Sequence, residues 1–484
     1  MNVFAPGLSG SLLRRVLPKR LAAALALALA FAATALPARA TTIQRVVSPG
    51  GIEAWLVQEP AVPLIAVDFA FVGGSVQDPP GKGGTANLAA SLLDEGAGNL
   101  DSRAFADALE RKAIEMNFSA GRDNLGGSLR TLRENRDAAF DMLRLALTAP
   151  RFDASDVELN RAQILSMLRR ETTSPVDIAS RRWWQTAFAG HPYGRPVSGT
   201  SETLPNITID DLKSYTHRVL ARQNLKVAVV GDIDAETLKP LLDRVFGALP
   251  ATPDLMPVAD VMPQGLGRKI DVSLDVPQAV VDFGGPGIAR KDPDFMAAYL
   301  VNHIFGGGSS DSRLYQEVRE KRGLVYSVSD SLIWLNHSAV LLGGTATRAE
   351  RAGETLDLVQ KEIHRFAEQG PTAAELAEAK NYVKSSFALN LDTSTKIASL
   401  LVQLQLDDLG IDYFQQRSAL IDAVTLDDAK RVAKRLLDNG MLVTVVGKPE
   451  GVASANRAIG QPDLSQRAEP LAEPASAAAN SELR

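Results

Sequence analysis

The order of apolar and polar positions runs twice along this chain. A nearly continuous apolar run at Leu64–Val72 (LIAVDFAFV) predicts a buried strand, and Ala279–Phe283 (AVVDF) predicts its counterpart. A charged, helix-period segment follows late in each half, at Glu134–Leu147 and Glu350–Phe366. A polar turn and a second helix come next, with RFDASDVEL from Arg151 matching QGPTAAEL from Gln369 in pattern. Each half closes on an apolar strand that ends in glycine, Leu225–Gly231 (LKVAVVG) and Leu442–Gly447 (LVTVVG). Four correspondences in one order point to a duplication. The expected fold class is α+β: two homologous duplicated domains, each a mainly antiparallel sheet with helices packed on one face.

Between the halves, residues 248–265 carry Pro250, Pro253, Pro257 and Pro263 and read as an extended linker. The expected domains are therefore residues 41–247 and 266–460. Residues 461–484 are rich in Ala, Pro, Glu and Ser without apolar periodicity and read as a disordered tail. At the other end, Arg14, Arg15, Lys19 and Arg20 precede a small-apolar run from Leu21 to Leu36, and Ala38-Arg39-Ala40 supplies a cleavage site. Residues 1–40 read as a secretory signal peptide; a sixteen-residue stretch, mostly Ala, is short for a membrane anchor. Its removal takes away five basic residues and no acidic ones, moving the net charge from −5 to −10. The expected product is an exported, periplasmic protein without a membrane anchor.

The 484 residues are 45% hydrophobic and 23% charged, a composition of ordinary globular domains. With no Cys, disulfide scaffolds, thiol nucleophiles and cysteine metal sites are excluded. The acidic balance argues against a general nucleic-acid binder. The five His residues (191, 217, 303, 337 and 364) are isolated, and neither H-E-x-x-H, H-x-x-E-H nor G-x-S-x-G occurs. Gly81-Lys-Gly-Gly-Thr lacks the order of a phosphate loop and reads as a surface turn, and His191-Pro-Tyr-Gly reads as a structural turn in which His191 caps or packs. Gly306, Gly307 and Gly308 follow a helix. They make either a helix end and linker or a loop that a peptide approaches closely. From Ser312 to Gly323 the pattern predicts a helix, and from Leu324 to Ser329 a strand, which puts Arg319 in the last helical turn and Tyr326 at the strand start. Taken alone, these two are a surface cation and a half-buried packing residue.

The segment from Gly306 to Val328 (GGGSSDSRLYQEVREKRGLVYSV) resembles the second-domain signature of the pitrilysin–insulinase (inverzincin) metallopeptidases, and HPYG at His191, LKVAVVGD at Leu225 and the duplicated halves resemble that family along nearly the whole mature chain. The resemblance implies paired α+β domains closing around a peptide. In active members zinc is held on the first domain by H-x-x-E-H and a later Glu. Here Asn87 and Ser91 stand where the two His would be and Ala90 where the general base would be, while Ser166–Leu168, the expected position of the later ligand, holds no carboxylate. An amide, a methyl and a hydroxyl neither bind Zn²⁺ tightly nor deprotonate its water.

Active members also carry an Arg and a Tyr seven residues apart on the second domain, the spacing of Arg319 and Tyr326. The resemblance thus implies that these are catalytic site residues, that Gly306, Gly307 and Gly308 bind substrate, and that this chain binds no metal or cofactor. It further implies a homologous partner bearing H-x-x-E-H, with zinc on that partner and a peptide as substrate. The competing expectation is a non-enzymatic peptide-binding or assembly protein built on the same fold. A hydrolase with unrelated chemistry would need a base such as His191, His303 or His337, and no motif nominates one.

Overall fold

Residues 42–307, 310–389 and 391–448 are described by the structure, a computed structural model. The expected signal peptide, Gly308 and the expected disordered tail lie outside the described residues. The described chain forms two compact units. Unit 1 comprises the described residues up to Leu165, Val197–Pro257 and Lys384–Ala419; unit 2 comprises Ser166–Pro196, Val258–Val383 and the described residues from Leu420. A segment from each half of the chain thus belongs to the unit built mainly from the other half.

The sheet of unit 1 contains β1 (Ile43–Val47), β2 (Glu53–Gln58), β3 (Leu64–Val72), β4 (Glu115–Ala120), β5 (Asn124–Leu132) and β6 (Leu225–Gly231) in the order β1-β2-β6-β3-β5-β4. That of unit 2 contains β7 (Lys269–Ser273), β8 (Gln278–Pro286), β9 (Val325–Leu335), β10 (Ser338–Arg348) and β11 (Leu442–Gly447) in the order β7-β11-β8-β10-β9. All neighbours are antiparallel except β2 with β6 and β7 with β11. The sheets are therefore mainly antiparallel, and the last strand of each is inserted in the same place.

The repeat extends to single contacts. Phe69 on β3 faces Gly127 on β5, and Phe283 on β8 faces Gly343 on β10. A Cβ at Gly127 would come to 2.5 Å of the Phe69 ring, and one at Gly343 to 2.4 Å of the Phe283 ring. Both glycines are notches that admit an aromatic ring from the neighbouring strand.

Strand parity assigns the two faces of each sheet. In unit 1, Phe69 and Phe71 face the helix Ala235–Phe246, with the Phe69 and Phe246 rings 5.7 Å apart. On the opposite face Ala70, Ala228 and Val230 pack against Ala398, Leu401 and Val402 of the helix Ser394–Leu406. In unit 2, Val281, Phe283, Val443 and Val445 join the large core with the helices Phe295–Phe305, Ala352–Gln369 and Leu426–Leu437. Val280 and Val446, of opposite parity, pack with Ala179 of the helix Pro175–Ala187, whose Trp183 donates Nε1–H to the Leu442 carbonyl at 3.1 Å. The main helical layer is on one face as expected, and a single helix from the exchanged segment covers part of the other. Among the described residues no helix is long and apolar enough to cross a membrane.

Candidate functional site

In unit 1, Asn87 and Ala90 lie on the helix Thr85–Ala90 and Ser91 is its C-cap, so the three positions that the resemblance sets against the zinc motif fall together. The position of this helix is closely fixed. Buried Asp78 accepts from the Gly84 and Ala86 N–H groups at 2.7 and 2.8 Å, the usual satisfaction of free donors at a helix start. Gly84 has φ 99°, and a Cβ there would meet the Ser198 carbonyl at 2.9 Å. Asn87 and Ser91, one turn apart, share the partly exposed side, and Ala90 is buried. The side chains at these three positions are an amide, a methyl and a hydroxyl. In the later window Leu168 is buried and no carboxylate is present. These residues do not fit zinc, and among the described residues no group of three His, Cys, Asp or Glu could hold a metal ion.

Unit 2 carries Arg319 and Tyr326, the two positions singled out by the resemblance. The helix that begins after Ser312 widens at Tyr315–Glu320, where Lys321 N–H bonds to the Gln316 carbonyl five residues back at 3.0 Å. Such i→i+5 turns are uncommon and recur at functional sites. The turn is pinned from beneath by Glu317. Its carboxylate accepts from Lys321 at 2.7 Å and Arg322 at 2.8 Å, with Arg365 at 3.6 Å. Lys321, Arg322 and Arg365 together hold that carboxyl down at about 2. Arg319, next to the end of the turn, is partly exposed; it pairs with Glu320 at 2.5 Å, and its guanidinium carbon stands 5.7 Å from the Tyr315 ring centre.

Tyr326 lies on the edge strand β9 and is 88% exposed. That exposure corrects the reading of a half-buried packing residue, and its cause is local. Val328 pairs with Thr345 and Val325 with Thr347, so Tyr326 and Ser327 together oppose Ala346 in a β-bulge. A bulge re-aims the side chains it carries. Two buried hydroxyls hold it: Thr345 Oγ1 donates to the Ser327 carbonyl and Thr347 Oγ1 to the Leu324 carbonyl, each at 2.7 Å. The structure therefore places Arg319 beside the end of a pinned helical turn and Tyr326 on the bulge that follows it.

The glycine loop is tied to the same strand. Asp330 N–H donates to the Gly306 carbonyl at 2.8 Å, and Asn302 Nδ2 donates to Asp330 Oδ1 at 2.7 Å. Gly306 and Gly307 N–H both return to the Asn302 carbonyl, at 3.0 and 2.9 Å. Burial pushes the Asp330 carboxyl well above its ordinary value. No motif marks Asn302 or Asp330, because each acts through a partner distant in sequence, and Glu317 reads as one more charge on a charged helix until its burial is known. His191 is a cap, its Nδ1 accepting from the Tyr193 N–H at 3.1 Å beside the buried Tyr193 ring.

Two family profiles match this chain. Insulinase (peptidase family M16) covers residues 56–201, and the peptidase M16 inactive domain covers residues 206–383. The protein named Non-peptidase homolog YmxG of Helicobacter pylori is 30% identical over 336 residues, spanning 69% of this chain and 77% of that one. An uncharacterized zinc protease of Streptomyces coelicolor is 27% identical over 415 residues, 84% of this chain and 90% of that one. Among solved structures, the peptidase M16 inactive domain from Pseudomonas fluorescens superposes with a TM-score of 0.80 at 26% identity, over 85% of this chain and 99% of that one. With its duplicated sheets, its emptied first-unit motif and these matches, the chain belongs to the M16 (insulinase) peptidase family.

Proposed function

We propose that this chain is the non-zinc subunit of a two-chain periplasmic peptidase. A homologous partner bearing H-x-x-E-H would hold the metal. This chain would contribute Arg319 and Tyr326, with Gly306–Gly308 lining the path of the peptide. The observation that supports the reading is the contrast between units: in unit 1 the positions set against the zinc motif hold no metal ligand, whereas unit 2 presents an exposed Tyr326 on a bulge seven residues after a partly exposed Arg319. Tyr326 is 88% exposed on a bulge that two buried threonines fix, and bulges of this kind are over-represented next to active sites. Chemically, a guanidinium fork can orient a substrate carbonyl and a phenol can donate to an oxyanion as it develops.

A second reading is a non-enzymatic peptide-binding protein, favoured by the similarity to a protein called a non-peptidase homolog. Affinity capture of the tagged mature chain from native periplasm separates the two. A stoichiometric partner with H-x-x-E-H, and chelator-sensitive peptide cleavage only in the mixture, supports the half-enzyme. A homodimer, or a partner without that motif, supports the binding protein.

A further inference from the structure

Four residues form one row across the sheet of unit 2. Ser329 on β9 pairs with Gly344 on β10, Gly344 with Asp282 on β8, and Asp282 with Thr444 on β11. Directly paired residues share a face, so all four lie on the side partly covered by the helix Pro175–Ala187. That helix covers the β8–β11 end. Ala179 packs with Val280 and Val446, and a Cβ at Gly284 would meet the Trp183 ring at 2.7 Å. The β9 end of the row is open, with Ser329 exposed. Between them Gly344 contributes no side chain; a Cβ there would stand 3.0 Å from Asp282 Oδ1. The Asp282 carboxyl is therefore reached from the edge strand across a glycine.

Two polar groups at the inner end of this row lack what they need. Thr444 Oγ1 is wholly buried with no hydrogen-bond partner. Among the described residues no cation offsets the burial of Asp282, which raises its carboxyl to about 7. A ligand that satisfies both must bring several N–H donors and positive charge down a narrow approach. A divalent metal ion would want six or more oxygens, and this row offers too few. A lysine ammonium, with three donors on a slender stem, can donate to a carboxylate and a hydroxyl at once. The first unit has an equivalent carboxyl, Asp68, in the row Asn117–Ser128–Asp68, but there the next residue inward is Ala228, without a hydroxyl.

We propose that Asp282 and Thr444 form a subsite for a basic side chain, lysine above all, of an extended peptide lying on the open face of this sheet. This names the substrate class for the peptide-handling role proposed above and rests on that role, but it needs neither the partner nor hydrolysis. When the ammonium pairs with Asp282, the carboxyl gives up its proton to solvent, so binding below pH 7 releases a proton.

The test is direct binding to the isolated mature chain at pH 6.5, by calorimetry in two buffers of different ionisation enthalpy. The probes are an extended Thr/Val-rich peptide with one central lysine and the same peptide with norleucine there. The lysine peptide should bind on the order of tenfold tighter, with proton release, as expected for one charge-assisted contact. Asp282→Asn should remove both the preference and the proton release. Gly344→Ala, which narrows the approach but leaves the carboxylate, should weaken the lysine peptide selectively and keeps the test valid if Asp282→Asn does not fold. Equal affinity for both peptides, binding of neither, or a lysine preference that survives in both variants overturns the subsite. A lysine preference in the isolated chain, with no hydrolysis in any mixture, would instead leave the subsite standing and remove the two-chain peptidase.

Discussion

Asn302 and Asp330, 28 residues apart, are joined by a buried hydrogen bond of 2.7 Å that ties the end of the helix Phe295–Phe305 to the strand bearing Tyr326. The Gly306 backbone lies against that pair. A Cβ at Gly306 would come to 2.6 Å of Asp330 Oδ1 and 2.9 Å of Leu314 Cδ1. Gly306→Ala should therefore destabilise the chain by about 1–3 kcal/mol, the scale of overpacking. Gly353→Ala, on a helix with nothing within 4 Å, should stabilise it by about 0.5–1 kcal/mol. Denaturant unfolding of both variants checks the contrast, and equal effects would remove the fit argued for the loop.

Burial also sets a pH dependence. Asp68 and Asp282 occupy equivalent strand positions, and desolvation raises each carboxyl to about 7. In the unfolded chain each titrates near the ordinary value of about 3.9. Between about pH 4 and 7 the folded state holds protons that the unfolded state has lost, so stability falls as pH rises, by at most about 1.4 kcal/mol per pH unit for each group. The Asp68→Asn/Asp282→Asn double variant should show a flatter profile in that window and exceed the parent in stability at pH 8. Parallel profiles for parent and variant would contradict this.

Glu317 works in the opposite sense. Its carboxyl is held at about 2 by Lys321, Arg322 and Arg365, below the unfolded value of about 4.3. That contribution is present above pH 4 and is lost as pH falls towards 2. Glu317→Gln should cost about 1–2 kcal/mol at pH 7, a figure reduced because the cations remain partly solvated. The difference between parent and variant should close as the pH approaches 2 in acid unfolding.

Much of this architecture is legible in the chain. Leu225–Gly231 and Leu442–Gly447 are apolar apart from Lys226 and Thr444 and stop at glycines with φ of 142° and 152°, so their bounds follow from composition. The exchange of segments is not legible. The helices Pro175–Ala187 and Ser394–Leu406 have ordinary apolar patterns, and nothing in such a pattern says which sheet it will cover. Tyr326 was placed on its strand, but its exposure depends on a bulge set by the pairing of Val325 and Val328 with β10, a relation between distant residues. Asp282 had a readable signal, since Val-Asp-Phe occurs in both β3 and β8. Its meaning required knowing what lies across the strands.

Restoring the metal motif should fail. In the Asn87→His/Ala90→Glu/Ser91→His variant the helix position is already correct, but the 166–168 window still lacks a carboxylate. Ala90 is only 1% exposed, so a glutamate there must also displace packed neighbours. The isolated variant should show a lowered melting temperature and no peptidase activity above background at added zinc. Robust hydrolysis would mean that another group completes the ligand set.

In the proposed two-chain peptidase, this chain lends Tyr326 and Arg319 to chemistry carried out on a partner. The most direct measurement is the turnover of an unstructured peptide by this chain mixed with the H-x-x-E-H homologue captured from the same periplasm, comparing Tyr326 with Tyr326→Phe. Because Tyr326 is 88% exposed, the substitution should leave folding and association unchanged. The account predicts a fall in kcat of about 10²-fold, the scale of losing one oxyanion donor, with the melting temperature and the affinity between the chains unaltered. Unchanged turnover from a correctly assembled Tyr326→Phe mixture would contradict it.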